Sequence, residues 1–207
     1  MTLVAKLIKL LPALLLALAL PANAAGAKAA AEDPHPRVLM QTSLGDVTIE
    51  LDREHAPASV ANFLAYAKAG HYNGTIFHRV IAGFVAQGGG YDSKYVEKKT
   101  RAPIKLESGN GLSNLRGTIA MAREASPDTA TAQFFFNLID NQRLDAHPGD
   151  TQHQTGYAVF GKITSGEEIL EKFAALETGS GGPFNRDVPT TAVVLKKVTI
   201  LPPEKAQ

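Results

Sequence analysis

Arg79, Gln87, Gln133 and Phe135 are the residues of this sequence whose types and spacing could do chemistry together. The first pair lies in Phe77-His78-Arg79-Val80-Ile81-Ala82-Gly83-Phe84-Val85-Ala86-Gln87-Gly88-Gly89, an apolar stretch closed by glycines. The second pair opens Gln133-Phe134-Phe135-Phe136-Asn137, where positions two apart on a strand share a face. An arginine is charged at every working pH and presents its donors as a planar fork. Set beside aromatic side chains, it can stabilise an electron-rich atom, but it cannot relay a proton. Other chemistries lack their carriers. Cysteine is absent, so thiol mechanisms and disulfides are excluded. Gly88-Gly89-Gly90 lacks the Lys-Ser/Thr of a phosphate loop, and no Gly-x-Ser-x-Gly elbow occurs. His147 and His153, with Asp145 and Asp150, read as a solvated loop rather than a metal site, and His78 reads as a structural strand residue. No metal and no cofactor is called for.

The elements that must position these residues are legible from periodicity. Arg37 to Asp52 alternates apolar and polar residues around Ser43-Leu44-Gly45-Asp46, a hairpin signal. Pro57 to Ala69 has Pro at the first helical position, Val60, Phe63, Leu64 and Ala67 on one stripe, and Gly70 at the C-terminal cap. Strands are predicted over Thr75–Ile81, Phe84–Gln87, Thr118–Ala122, Gln133–Leu138, Tyr157–Ile163 and Ala192–Leu201. A second helix is predicted at 167–176, with Ser165 and Glu168 at capping-box spacing and Ile169, Leu170, Phe173 and Leu176 as its apolar stripe. Residues 91–116, 140–156 and 177–190 read as loops, with Gly179-Ser180-Gly181-Gly182-Pro183 irregular.

Both ends are set apart. Lys6 and Lys9, the apolar run Leu10–Leu20 and Ala22-Asn23-Ala24 form a secretory leader over residues 1–24, too short in its apolar part to span a ~30 Å hydrocarbon layer. Residues 25–36 read as a flexible tether, 37–203 as one domain and 204–207 as a polar tail. A periplasmic location is therefore expected, with no membrane association after cleavage. Two of the 21 Lys and Arg lie in the leader and none of the 20 Asp and Glu, which leaves the mature chain nearly neutral. Such a balance offers no electrostatic footprint for nucleic acid.

The thirteen-residue stretch from Phe77 to Gly89, with Gln133-Phe134-Phe135-Phe136-Asn137 and Gly117-Thr118-Ile119-Ala120-Met121-Ala122-Arg123, resembles the cyclophilin family of peptidyl-prolyl cis–trans isomerases, most closely its periplasmic bacterial members. The resemblance spans roughly residues 37–202. It implies a mainly β fold, a closed eight-stranded antiparallel barrel capped by two α-helices. It implies rotation about X-Pro bonds, with proline-containing unfolded or partly folded polypeptides as substrates, acting as a monomer on exported proteins. By the same resemblance Arg79, Gln87 and Phe135 are catalytic, while Phe84, Val85, Ala122, Arg123, Gln133, Leu144 and Tyr157 bind substrate. Val85, Ala82 and Tyr157 replace a methionine, a proline and a histidine of the best-known eukaryotic members, and Arg143 replaces a tryptophan tied to cyclosporin binding. Weak cyclosporin binding is the expected consequence. Two other readings compete: a non-catalytic chaperone or adaptor that holds proline-rich segments, which has no need of the arginine, and a barrel-type carrier of apolar ligands, which needs a lined cavity.

Overall fold

A computed structural model describes residues 32–150 and 155–203; the leader, residues 25–31, residues 151–154 and the tail at 204–207 lie outside them. The fold begins with the expected hairpin. β1 (Arg37–Thr42) and β2 (Asp46–Leu51) pair in antiparallel register, Met40 opposite Val47. Their alternation sends Val38, Met40, Val47, Ile49 and Leu51 inward. Contacts with the domain begin before the hairpin, within residues 32–36. Arg53 holds residues 32–36 by an ion pair to Glu32 at 2.7 Å and a bond from its Nε to the Asp33 carbonyl, and the Leu51 amide donates to the Pro36 carbonyl. The described part of the tether is thus tied to the domain.

Helix α1 (Pro57–Lys68) buries Val60, Phe63, Tyr66 and Ala67, with Leu64 half-buried at the edge. Pro57 stands at its start, and Gly70, at φ +68°, follows the C-cap. No side chain at the N-cap satisfies its first amides. The Glu107 carboxylate does so from across the chain, accepting from the Ala58 and Ser59 amides at 2.9 and 2.8 Å.

The stretch expected as one strand at 75–81 is two. β3 (Thr75–Ile76) pairs with the last strand, and β4 (Arg79–Val80) pairs with β5 (Val85–Gly88). The chain turns between them because Phe77 goes into the core, its amide bound to the Val193 carbonyl. After β6 (Tyr91–Asp92) come β7 (Thr118–Met121), β8 (Phe134–Asn137), β9 (Val159–Ser165), α2 (Ile169–Ala174), β10 (Thr178–Gly181), β11 (Phe184–Pro189) and β12 (Val194–Ile200). Ten strands form one curled sheet in the order β4-β5-β8-β7-β9-β2-β1-β12-β3-β6. The expectation of a closed eight-stranded barrel is corrected here. The sheet has ten strands, and among the described residues no ladder joins its end strands β4 and β6. Splitting the 75–81 segment supplies one additional strand and the β4 edge, and β6, within the stretch 91–116 expected as a loop, supplies the other strand and the other edge.

Two local expectations also fail. Ser165 forms no capping box, because it remains paired with Thr48 in the β2–β9 ladder. Gly166, at φ +82°, makes the turn instead, and the Ile169 amide donates to its carbonyl. The glycine-rich segment at 177–190 is a hairpin, β10 with β11, turning at Gly182-Pro183. Glycines weaken strands, and here Val188 and Phe184 offset that loss. Val188 is buried, and the Phe184 ring packs on His78 and Tyr91 at 5.2 Å from each.

The core is aromatic and filled. Phe63, Tyr72, Phe77, Phe134, Phe136, Phe160 and Phe173 are wholly buried, and Phe134 meets Phe63, Tyr72, Phe77 and Phe136 edge to face. A second, smaller apolar cluster of Val85, Ala120, Ala122, Phe135 and Val159 lies apart from it, flanked by the half-buried Phe84, Leu112, Leu144 and Tyr157.

Candidate active site

Strand register builds the site. Arg79 pairs with Gln87, Gln87 with Phe135, Phe135 with Ala120, and Ala120 with Val159. Directly opposed residues of adjacent strands share a face, so these five form one row across β4, β5, β8, β7 and β9. Val85 joins from two positions before Gln87, and Gln133 from two positions before Phe135. The alternate positions Ala86, Phe134 and Phe136 face the aromatic core.

The row ends in a cavity of about 140 Å³ lined by Arg79, Phe84, Val85, Gln87, Ala122, Arg123, Phe135, Leu144 and Tyr157. Nine of the ten residues singled out from sequence therefore meet at one depression. The tenth, Gln133, accepts a bond from Gln87 Nε2 at 2.9 Å, while Arg79 donates to Gln87 Oε1 at 3.4 Å. The relay from Gln133 through Gln87 orients the guanidinium over the apolar cup. Phe135 forms the floor, 4 % exposed, with Tyr157 against it edge-on at 5.6 Å. The guanidinium carbon of Arg79 lies 5.9 Å from the Phe84 ring centre. Buried aromatic side chains fill the inside of the sheet, where the carrier reading needs a lined cavity, which argues against that reading.

Arg123 is engaged elsewhere. Its Nε donates to the Gly156 carbonyl at 2.9 Å, its other donors reach the Glu124 and Ala125 carbonyls, and its guanidinium lies 5.0 Å from the Tyr157 ring centre. It fixes the Tyr157 wall. No carboxylate lines the cavity. Among the described residues no cluster of His, Cys, Asp and Glu could hold a metal ion. His153 lies outside them, and Asp145 is instead bound by Ser113 and Asn114.

Sequence reading missed the support behind the cavity. Asn114, Asn137 and Asn141 are buried in a chain of side-chain amides. Asn141 donates to the Phe84 carbonyl and to Asn137 Oδ1, both at 2.9 Å, and Asn137 donates to Asn114 Oδ1 at 3.1 Å. Asn114 in turn donates to Asp145 at 2.8 Å, beside Leu144. This network ties the Phe84 wall to the Leu144 wall, and three lone asparagines carry no periodicity that would reveal it.

His78, next to Arg79, packs on the other side against Tyr91 and Phe184 and is 4 % exposed. Burial, and then the charge of Arg79, lower its pKa to about 4, so it stays neutral near pH 7 and takes no part as a base. An unfolded histidine titrates near 6.5, so between about pH 6.5 and 4 the unfolded chain binds a proton that the fold refuses. This group's contribution to stability therefore falls as pH drops through that window, by about 3 kcal/mol at its acid end. Urea unfolding at pH 7, 5.5 and 4.5 should show a shallower acid loss in His78→Phe than in the wild type; parallel curves would show that this burial has no such effect.

A family model described as cyclophilin type peptidyl-prolyl cis-trans isomerase matches residues 37–200. Peptidyl-prolyl cis-trans isomerase A of Dickeya dadantii is 48% identical over 164 residues, covering 79% of this chain and 84% of that protein. Peptidyl-prolyl cis-trans isomerase B of Escherichia coli is 44% identical over 163 residues, 79% of this chain and 98% of the relative. Among solved structures, a Cryptosporidium parvum cyclophilin type isomerase superposes with a TM-score of 0.63 at 26% identity, covering 82% of this chain and 99% of its own. The same protein in the presence of the dipeptide Ala-Pro superposes at 0.62, again at 26% identity, covering 81% of this chain and 99% of its own.

Proposed function

The chain belongs to the cyclophilin-type peptidyl-prolyl cis–trans isomerases and accelerates rotation about X-Pro bonds, and from that premise we propose that Arg79 is the group that lowers the barrier, on exported proteins as they fold. A peptide bond resists rotation by ~18–20 kcal/mol because its C–N bond has partial double character. At X-Pro both isomers are populated, yet they exchange over tens to hundreds of seconds. In the twisted transition state the resonance is lost and the proline nitrogen carries a true lone pair. A guanidinium aimed at that nitrogen stabilises the twisted state and leaves the planar state nearly untouched, which is the differential binding that catalysis requires.

The single observation that carries this reading is the register row: Arg79, Gln87 and Phe135 stand directly opposed on three neighbouring strands. The proline ring sits on Phe135 between Phe84, Val85, Leu144 and Tyr157, and Gln87, held by Gln133, aims Arg79 at the ring nitrogen. Backbone groups at Ala122 and Arg123 contact the residue before proline. A groove that only holds proline-rich segments, the adaptor alternative, needs the cup and not a guanidinium oriented by a glutamine relay. Measuring X-Pro exchange by NMR with catalytic amounts of the protein tests the assignment; binding of the peptide without faster exchange would favour the adaptor.

The export half of the proposal rests on Lys6 and Lys9, the Leu10–Leu20 run and Ala22-Asn23-Ala24. The mature protein should begin at Ala25, appear in the periplasmic fraction and behave as a monomer. Intact-mass measurement finding Met1 on soluble cytoplasmic protein would defeat it.

Cyclosporin should inhibit weakly. The Arg143 guanidinium lies over the Phe84 face, 4.6 Å from the ring centre, where it presents a hydrated cation to an apolar cyclic peptide. Replacing it by an indole, Arg143→Trp, should tighten inhibition. A titration in which the wild type is already tightly inhibited, or the variant gains nothing, would refute this.

A further inference from the structure

Three guanidiniums surround the cup, and they differ in what they have left to offer. Arg79 is oriented by Gln87 toward the reacting bond. Arg123 is bound to three carbonyls and a tyrosine face. Arg143 is exposed, and among the described residues its one interaction is the stacking on Phe84. The acids nearest to it in sequence do not neutralise it. Asp140 accepts from the Arg116 amide at 2.8 Å, and Asp145 accepts from Ser113 and from the Asn114 amide and side chain.

The cation is also well placed. Arg143 sits in the 3-10 turn Gln142–Leu144, closed by bonds from the Leu144 amide to the Asn141 carbonyl and from the Asp145 amide to the Gln142 carbonyl. Asn141 ties this turn to the Phe84 carbonyl, so the guanidinium and the ring beneath it belong to one held unit. A pre-positioned arginine loses less side-chain freedom on meeting a carboxylate than a free surface side chain does.

We infer that Arg143 is a specificity-determining residue that selects peptides carrying Asp or Glu within two residues after the proline. This rests on the isomerase reading, in which the residue before proline lies along Ala122 and Arg123. The chain that leaves the cup must then pass on the opposite side, over Phe84 and beneath Arg143. Recognition is by charge and by the arginine fork, with no bond made or broken. The preference should favour the side after the proline, since the Nε and Nη1 donors of Arg123 are already committed to backbone carbonyls. It should also weaken with salt, as pairs at the surface do.

The test is a cycle of peptides and variants. Amidated peptides carry Glu or Gln at the first or second position after proline, and a further pair carries Glu or Gln before it. Wild-type protein in low salt should show kcat/KM about three- to fivefold higher for Glu than Gln after proline, the size of a modest ion pair. That ratio should fall toward one in Arg143→Gln and in high salt, while the pair with Glu or Gln before proline should show little discrimination. Arg143→Lys should recover part of the ratio. A wild-type ratio of one, a ratio unchanged in Arg143→Gln, or equal preference for Glu before proline would overturn the inference. Exchange of the all-Gln peptide by the wild type reports separately on the isomerase reading beneath it.

Discussion

Arg79→Ala should lower kcat/KM by roughly 10²–10³-fold, about 3–4 kcal/mol of transition-state stabilisation, the size of losing one preorganised donor. Affinity for a planar X-Pro peptide should change far less, because Phe84, Val85, Phe135, Leu144 and Tyr157 still line the cup. Arg79→Lys should recover little. An ammonium is a point charge on a flexible stem and cannot use the Gln87 contact to hold a planar fork. Turnover should be flat from about pH 6 to 8. No carboxylate lines the cavity, and His78, pushed down to about 4, does not titrate in that range. Exchange NMR on one X-Pro peptide reports turnover and affinity for all three proteins. Near wild-type turnover in the alanine variant would show Arg79 to be structural.

How much of this was legible beforehand depends on what carries each feature. The hairpin at 37–52 and helix α1 follow from alternation and a 3.6-residue stripe, both local signals. The grouping of Arg79, Gln87, Gln133 and Phe135 rests on a motif resemblance, and only strand register explains it: two ladders across three strands place residues 79, 87 and 135 side by side. Register is a long-range property that no window of sequence displays. The split of 75–81 into β3 and β4 was illegible for a related reason, since a β-prone run of mixed residues suits one strand or two. The β10–β11 hairpin ran against composition, because its glycines read as irregular while the burial of Val188 and the packing of Phe184 decided otherwise. Glu107 capping α1 from nearly fifty residues away, and the asparagine chain behind Phe84, depend on tertiary contacts between residues that are individually unremarkable.

Phe134 and Phe135 give the register its sharpest test, because neighbours on one strand should fail in opposite ways. Phe134 is wholly buried and touches four aromatic rings of the main core. Truncating such a side chain leaves a cavity its rigid neighbours cannot fill, so Phe134→Ala should cost about 3–5 kcal/mol of stability. Per folded molecule its kcat/KM should stay within a few-fold of wild type, since Arg79, Gln87 and Phe135 keep their row. Phe135 belongs to the separate small cluster and floors the cup. Phe135→Ala should be the less destabilised protein and the poorer enzyme, with KM raised because the ring's contact with proline is lost, and kcat/KM lowered about tenfold or more, as for loss of a large apolar contact. Urea unfolding and exchange kinetics on both variants, with activity normalised to the folded fraction, separate the two effects. If the two substitutions cost similar stability and similar turnover, the alternation along β8 does not divide core from site, and the row that carries the mechanism is wrongly drawn.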